Sequence, residues 1–211
     1  MKLCYVTDRK ALPGSAEEQF RALLHKIENA GRASLDWIQI REKDLSGREL
    51  AALVGKALCC VPTSCRVLVN DRLDVAIACG AGGLHLGENS VLVEEARRLA
   101  RKKHLGTEFL VGVSTHSLEA ARASERAGAD YLIFGPVFAT PSKVAFGSPQ
   151  GLEKLQEICT SISVPVIAIG GVTAANAGDC LAAGAAGIAA IRLFQEATDM
   201  TEMVRSLRKV E

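Results

Sequence analysis

A stretch near position 40 reads Ile38-Gln39-Ile40-Arg41-Glu42-Lys43. On a β-strand successive side chains alternate between faces, so Gln39, Arg41 and Lys43 share one face while Ile38 and Ile40 share the other. Cations drawn into a protein interior need a partner or a charged ligand. Two of them at the end of one strand suit an anion such as phosphate; the competing reading is an internal ion-pair network. Asn70-Asp71 closes the next apolar run in the same manner. An Asp beside such cations is suited to hold Mg2+ together with a polyphosphate, because Mg2+ takes one or two carboxylates plus phosphate oxygens and water. Asn-Asp is also an ordinary turn or helix cap.

Further along, His85 alternates with two leucines in Gly83-Leu84-His85-Leu86-Gly87. It is expected to face inward, either as a bonded core histidine or as a catalytic one. Ser114, Thr115 and His116 follow another apolar run, with His116 expected at an open end and one of the two hydroxyls expected to cap a helix. His25 and His104 read as surface residues. The segment from Gly135 to Lys143 carries Gly135, Pro136 and Pro141, which stop a helix, and Thr140, Ser142 and Lys143, which suit phosphate oxygens. Its bland alternative is a solvated loop whose hydroxyls satisfy their own backbone. Gly170-Gly171 exposes backbone N–H groups ahead of a helix, a feature suited to an anion. Arg192 offers a further cation to the same place, or pairs with a neighbouring carboxylate.

These residues recur at one kind of place, the end of a short β-rich run. The runs are Leu3–Thr7, Trp37–Arg41, Arg66–Asn70, Gly83–Leu86, Phe109–Val113, Tyr131–Phe134, Val166–Ile169 and Gly187–Ile191. Between them lie helix-period segments at Glu17–Ala30, Gly47–Cys60, Val91–Lys103, Ser117–Ala127, Ser148–Ser161, Thr173–Ala183 and Thr198–Val210, with a short turn or two of helix at Arg72–Cys79. Strand–helix alternation of this count predicts an α/β fold, a single (β/α)8 TIM barrel over residues 1–211. The phrases Ala127-Gly128-Ala129 and Ala183-Gly184-Ala185, with Cys79-Gly80-Ala81, place glycine where a helix turns into the next strand. In such a barrel the functional residues gather at the C-terminal ends of the strands, with a phosphate commonly bound after strands seven and eight.

Composition narrows the function. The 211 residues carry 25 Lys and Arg against 24 Asp and Glu, a net charge of +1, so no basic field for nucleic acid exists. Hydrophobic residues at 48% supply one substantial core and exclude a disordered chain. The seven cysteines lack the paired spacing of a zinc ribbon or a disulfide framework, which points to a reducing compartment. The opening residues hold too few apolar side chains for a signal peptide, and no run reaches the ~18 apolar residues of a membrane span. The expectation is a cytoplasmic enzyme of small phosphorylated substrates, without nucleic-acid or membrane partners and compatible with a homo-oligomer.

The same phrases resemble the thiamin phosphate synthase/TenI family across nearly the whole chain: Tyr5-Val-Thr-Asp8, Gln39-Ile-Arg-Glu-Lys43, Val69-Asn-Asp-Arg72, Gly83-Leu-His-Leu-Gly87, Gly112-Val-Ser-Thr-His116, Ala129-Asp-Tyr131, Gly135-Pro-Val-Phe138, Thr140-Pro-Ser-Lys143 and Ile169-Gly-Gly171. The resemblance implies coupling of a hydroxymethylpyrimidine diphosphate to a thiazole monophosphate, with pyrophosphate leaving first. It implies that Gln39 contacts the pyrimidine, that Arg41, Lys43, Asn70, Ser114 and Lys143 grip the pyrophosphate, and that Asp71 holds Mg2+. Thr140, Ser142 and Gly171 would take the thiazole phosphate, with Gly170 and Arg192 beside them.

Two positions depart from the family pattern. Ser90 stands where synthases carry a second Mg2+-binding Asp, with Glu88 and Asn89 as the neighbouring substitutes, and Arg192 replaces a usual Ser. Loss of that Asp is characteristic of the TenI branch, whose thiazole tautomerase uses a histidine at the position of His116. Gln39, Lys43 and Asp71 favour the synthase. A binding-only paralogue and a sugar-phosphate barrel are the remaining alternatives.

Overall fold

Short runs of Val, Ile, Leu and Ala that are buried on both faces have only one economical arrangement, a parallel sheet covered by helices. A computed structural model describes residues 1–87, 90–103, 108–140 and 148–210. It has eight parallel strands: β1 (Lys2–Val6), β2 (Trp37–Ile40), β3 (Arg66–Asn70), β4 (Gly83–Leu86), β5 (Leu110–Thr115), β6 (Tyr131–Phe134), β7 (Val166–Ile169) and β8 (Gly187–Ala190). They pair in sequence order, and β8 returns to β1 through Lys2–Gly187 and Cys4–Ala189 to close the barrel. The predicted (β/α)8 architecture is the one observed.

The covering helices are α1 (Ala16–Arg32), α2 (Gly47–Cys60), α3 (Leu73–Cys79), α4 (Val93–Lys102), α5 (Leu118–Arg126), α6 (Gly151–Ser161), α7 (Ala177–Ala182), α8 (Arg192–Gln195) and α9 (Met200–Arg208). Reciprocal capping boxes start α1 (Ser15 with Glu18) and α2 (Ser46 with Glu49), satisfying backbone N–H groups that a helix start leaves open. Gly80, Gly128 and Gly184 take positive φ, as the recurring glycine phrases require. The helix expected from Thr173 begins only at Ala177. Asn176 accepts from the Thr173 N–H (2.7 Å) and donates to the Gly171 carbonyl (3.1 Å), so side-chain bonds hold the intervening residues in a turn. None of the helices among the described residues is long and apolar enough to cross a membrane.

Side chains of alternate parity separate two cores. Ile38, Ile40, Leu84 and Leu86 face the helices, while Cys4, Val6, Trp37, Leu68, Tyr131, Ile133, Ile167 and Ala189 fill the barrel. Within that inner core the Trp37 and Tyr131 rings lie 4.6 Å apart. Gly112 makes this possible, because a Cβ there would sit 1.9 Å from Cζ of Tyr131. At the opposite end from the functional rim, Asp36 accepts from the Leu3 N–H (3.0 Å), Lys2 (2.9 Å) and Arg208 (2.6 Å), tying β1 to α9. Burial resists ionisation of Asp36, but these three donors outweigh it and hold its pKa below the usual carboxylate value. All seven cysteines are free: Cys4, Cys65 and Cys180 are buried, and Cys59 and Cys60 are exposed.

Gly112→Ala is expected to cost about 1–3 kcal/mol through overpacking against Tyr131. That corresponds to a melting midpoint lower by roughly 2–4 °C for each kcal/mol in a chain of this size. An unchanged midpoint in differential scanning calorimetry would show that the ring does not occupy this place.

Candidate functional site

The rim is built from the chain just past each strand. At the end of β2, Glu42 is buried and accepts from the Thr7 hydroxyl (2.6 Å), from the Arg9 N–H (3.2 Å to each oxygen) and from the Arg9 guanidinium (3.3 Å). The same guanidinium grips Asp44 at 2.7 Å through two nitrogens. Thr7 Oγ1 in turn accepts the Arg41 N–H at 3.0 Å. The backbone on both sides of Arg41 is thereby fixed by one carboxylate. Burial raises the Glu42 pKa, against the pull of Thr7 and Arg9. The Arg9 hydrogen bonds hold the Asp44 carboxyl well below its usual value.

An ion-pair network thus exists at this strand end, but Arg9, Lys10, Glu42 and Asp44 carry it. Arg41, half-buried, and Lys43, exposed, make no ion pair among the described residues. Inward of them, Gln39 is 2% exposed and donates through Nε2 to Asn70 Oδ1 at 3.0 Å. Its Oε1 is buried without a partner among the described residues. An orphaned buried acceptor is costly unless a ligand or water completes it.

Asp71 follows Asn70 with φ of 64°, in the left-handed region, and its N–H donates to the His85 carbonyl at 2.9 Å. Its carboxylate is exposed and makes no hydrogen bond or ion pair with a described side chain, the neighbouring Arg72 being taken by Asp74 at 2.9 and 2.6 Å. His85 lies inside the barrel as expected. One ring nitrogen, Nδ1, meets the Tyr131 hydroxyl at 3.1 Å and the other, Nε2, meets Ser114 Oγ at 2.8 Å. Burial first, and the Arg41 charge second, push the His85 pKa down to about 3, so the imidazole is neutral.

Ser114 and Thr115 belong to β5, which ends two residues later than expected, and neither caps α5. Ser117 does so, accepting from the Ala120 N–H at 3.2 Å. The parity of β5 turns Ser114 into the barrel and Thr115 to the helix side, where its hydroxyl is buried without a partner among the described residues. His116 is half-buried at the rim, and its Nδ1 bonds the Gly135 carbonyl. His25 is exposed.

Gly170 and Gly171 have φ of 96° and 66°. The segment after β6 crosses them closely: Val137 N–H donates to the Ile169 carbonyl (2.8 Å) and Phe138 N–H to the Gly170 carbonyl (2.9 Å). A Cβ on Gly170 would lie 2.5 Å from Pro136, and one on Gly171 2.6 Å from the Ala139 carbonyl. The glycine pair is therefore required by packing as well as suited to an anion. Thr140 stands half-buried at the end of this segment. Arg192 begins α8, exposed and without an ion pair among the described residues. Ser90 uses its hydroxyl to accept the Gly87 N–H at 2.8 Å. Ser142, Lys143, Glu88, Asn89 and His104 lie outside the described residues.

The motif pattern pointed to Arg41 and Lys43 but not to the residues that hold them. Nothing local distinguishes Glu42 from a solvated charge; the available signal was Thr7, a lone hydroxyl ending an apolar strand that needs a partner. Tyr131 stands in the phrase Ala129-Asp-Tyr131, to which the resemblance attaches no role.

A family model described as thiamine monophosphate synthase matches residues 3–194. The chain is 45% identical over 186 residues to the thiamine-phosphate synthase of Methanoculleus marisnigri, covering 88% of this chain and 85% of that one. It is 40% identical over 207 residues to the thiamine-phosphate synthase of a Roseiflexus species, covering 97% and 83%. Among solved structures it is similar to a thiamine phosphate pyrophosphorylase from Pyrococcus furiosus, with TM-score 0.83, 32% identity and coverage of 99% and 94%.

Glu42→Gln is expected to destabilise the rim by about 1–3 kcal/mol, since one acceptor oxygen is lost in a buried place. The folded-state pKa of Glu42 lies above its unfolded value. Its protonation therefore adds stability that is complete below the unfolded value of about 4.3 and is lost as pH rises through the folded value. Denaturant titrations should show a wider gap between wild type and Glu42→Gln near pH ~4 than near pH ~7. A gap that narrows toward acid would mean that Arg9 holds the carboxylate ionised.

Proposed function

This chain belongs to the thiamine monophosphate synthase family, and from that premise we propose that it is a transferase joining a hydroxymethylpyrimidine diphosphate to a thiazole monophosphate. The bond between the pyrimidine methylene carbon and the diphosphate oxygen breaks, pyrophosphate departs with the electron pair, and the thiazole nitrogen supplies the pair for the new carbon–nitrogen bond. The observation that carries this reading is the pair of cations at the end of β2, Arg41 and Lys43, held by a clamped backbone yet without a carboxylate of their own among the described residues.

A departing pyrophosphate gathers negative charge, and donors fixed in advance at that place lower the barrier. Arg41 supplies a planar fork for two oxygens, and Lys43 a compact charge nearer solvent. Asn70 and Ser114 add hydrogen bonds from the adjoining rim, and Lys143 would join them. The buried Gln39 Oε1 is an acceptor suited to an amino group on the pyrimidine. Thr140, Ser142, Gly170 and Gly171 form the second anion site, with Arg192 adding a charge at its edge. His116 would steady the rim between the two sites through the Gly135 carbonyl.

The donor set at β3 fits Mg2+. Asp71 offers one exposed carboxylate with no side-chain partner among the described residues, and Mg2+ readily takes its other ligands from phosphate oxygens and water. Ser90, whose hydroxyl accepts the Gly87 N–H, brings no carboxylate, so Asp71 would be the charged ligand, with Glu88 or Asn89 as the neighbouring substitutes. Bound there, the ion would neutralise diphosphate charge.

One observation favours a second reading. Ser90 in place of a metal-binding Asp suits a thiazole tautomerase, in which His116 would move a proton and neither pyrophosphate nor Mg2+ takes part.

Purified protein given both substrates and Mg2+ is expected to form thiamin phosphate, and none once the metal is chelated. Arg41→Ala and Lys43→Ala should each lower kcat by roughly 10²–10³, the usual cost of losing one donor to developing charge. Ser90→Asp should reduce the Mg2+ concentration needed for half-maximal rate. Product from Ser90→Asp alone would mark a former synthase. Silence from both chains would overturn the transferase reading and move the search to thiazole tautomerisation, with His116→Ala as its control.

A further inference from the structure

Three buried or half-buried polar groups form a chain from the barrel core to its mouth: the Tyr131 hydroxyl, the His85 imidazole and the Ser114 hydroxyl. A neutral imidazole has one N–H and one lone pair, so the two hydrogen bonds admit only two proton arrangements. In one, His85 Nδ1–H donates to Tyr131 and Ser114 donates to Nε2. The tyrosine proton is then left over, in a place where the side chain is 1% exposed and no other partner exists among the described residues. In the other, Tyr131 donates to Nδ1, Nε2–H donates to Ser114 Oγ, and the leftover proton is that of Ser114, which is half-exposed at the mouth. A stranded donor in a sealed core is costly, whereas one facing solvent or ligand is not.

We propose that Tyr131 and His85 are positioning residues that fix the Ser114 hydroxyl as a hydrogen-bond donor into the barrel mouth, set to meet an oxygen of the departing pyrophosphate. The proposal rests on the diphosphate reading above for the identity of the anion, but the direction of the relay follows from the core alone. The surroundings hold the relay still. The His85 and Tyr131 rings are nearly parallel, 5.7 Å apart, and Gly112 gives the tyrosine the space it needs. The His85 carbonyl also receives the Asp71 N–H, so the strand that carries the relay is bonded to the residue beside the diphosphate. A serine hydroxyl has a single proton to give; here His85 donates to the oxygen rather than drawing that proton, which leaves it for an anion.

Two measurements test this. Nitrogen-15 spectra of histidine-labelled protein, with the His85 signals identified by their loss in His85→Gln, are expected to show a protonated Nε2 and a lone-pair Nδ1 at neutral pH. In Tyr131→Phe, which keeps the ring and removes the donor, the protonated Nε2 should lose its dominance. Titration calorimetry with inorganic pyrophosphate and Mg2+ should find binding weakened about tenfold in Ser114→Ala, the order expected for a hydrogen bond to a charged group. Tyr131→Phe should weaken it about threefold, and the double variant no more than Ser114→Ala alone, because both changes remove one interaction. A protonated Nδ1 in the wild type overturns the proposal, as does a double variant in which the two losses multiply. If the wild type shows the expected tautomer but does not bind pyrophosphate, the relay stands and the transferase reading fails.

Discussion

A closed eight-stranded barrel must fill its interior with side chains, and here the Tyr131 ring, beside Trp37, is central to that filling. Tyr131 lies across the space that Gly112 leaves open, against Trp37 on one side and His85 on the other. Small inner barrels have room for only a few such groups, so each large one dictates a small one on a neighbouring strand. The glycine is thus a consequence of the tyrosine. The hydroxyl of that tyrosine then reaches the only buried imidazole among the described residues, and the imidazole reaches the rim. Filling the core and orienting a group at the mouth are two effects of a single placement.

The rim is organised on a similar economy. Glu42 could have paired with Arg41 or Lys43, its neighbours in sequence. β2 ends at Ile40, so the expected alternation does not extend over Arg41, Glu42 and Lys43, and the direction of Glu42 is set by its partners rather than by strand parity. Glu42 instead turns toward β1, where Thr7 and Arg9 receive it, and the two cations on either side are left for another anion. The clamp therefore separates charges that would otherwise neutralise one another. Its cost is a carboxylate in a dry place, visible in the raised Glu42 pKa, and it is offset by the hydrogen bonds that fix two strand ends together.

Much of the fold was legible because parallel strands announce themselves by continuous apolar runs. Arg66–Asn70, Gly83–Leu86, Tyr131–Phe134 and Val166–Ile169 are the strands anticipated from such runs. The boundaries that moved did so where polar residues enter a strand. Ser114 and Thr115 extend β5 although their types suit a cap, since their hydroxyls meet tertiary partners or none rather than the start of α5. Thr173–Asn176 looked helical by period and is a turn, because a side-chain amide competes successfully for the backbone there. Local pattern has no access to either competition.

The site was legible in part for a related reason. Residue type and strand position identify which groups can reach the mouth, hence Gln39, Arg41, Asn70, Asp71 and Ser114 at one set of strand ends. They do not identify what holds those groups or what else claims them. Gly170 and Gly171 illustrate the limit: their spacing suggests an anion cradle, yet the close passage of Pro136 to Ala139 would require glycine there even without one. The two demands reinforce each other. Backbone that must approach so closely cannot carry side chains over its amide groups, so the packing that joins the ends of β6 and β7 also leaves those amides uncovered by side chains, as the proposed anion site requires. The mouth of this barrel is chemically able because its walls are tightly made.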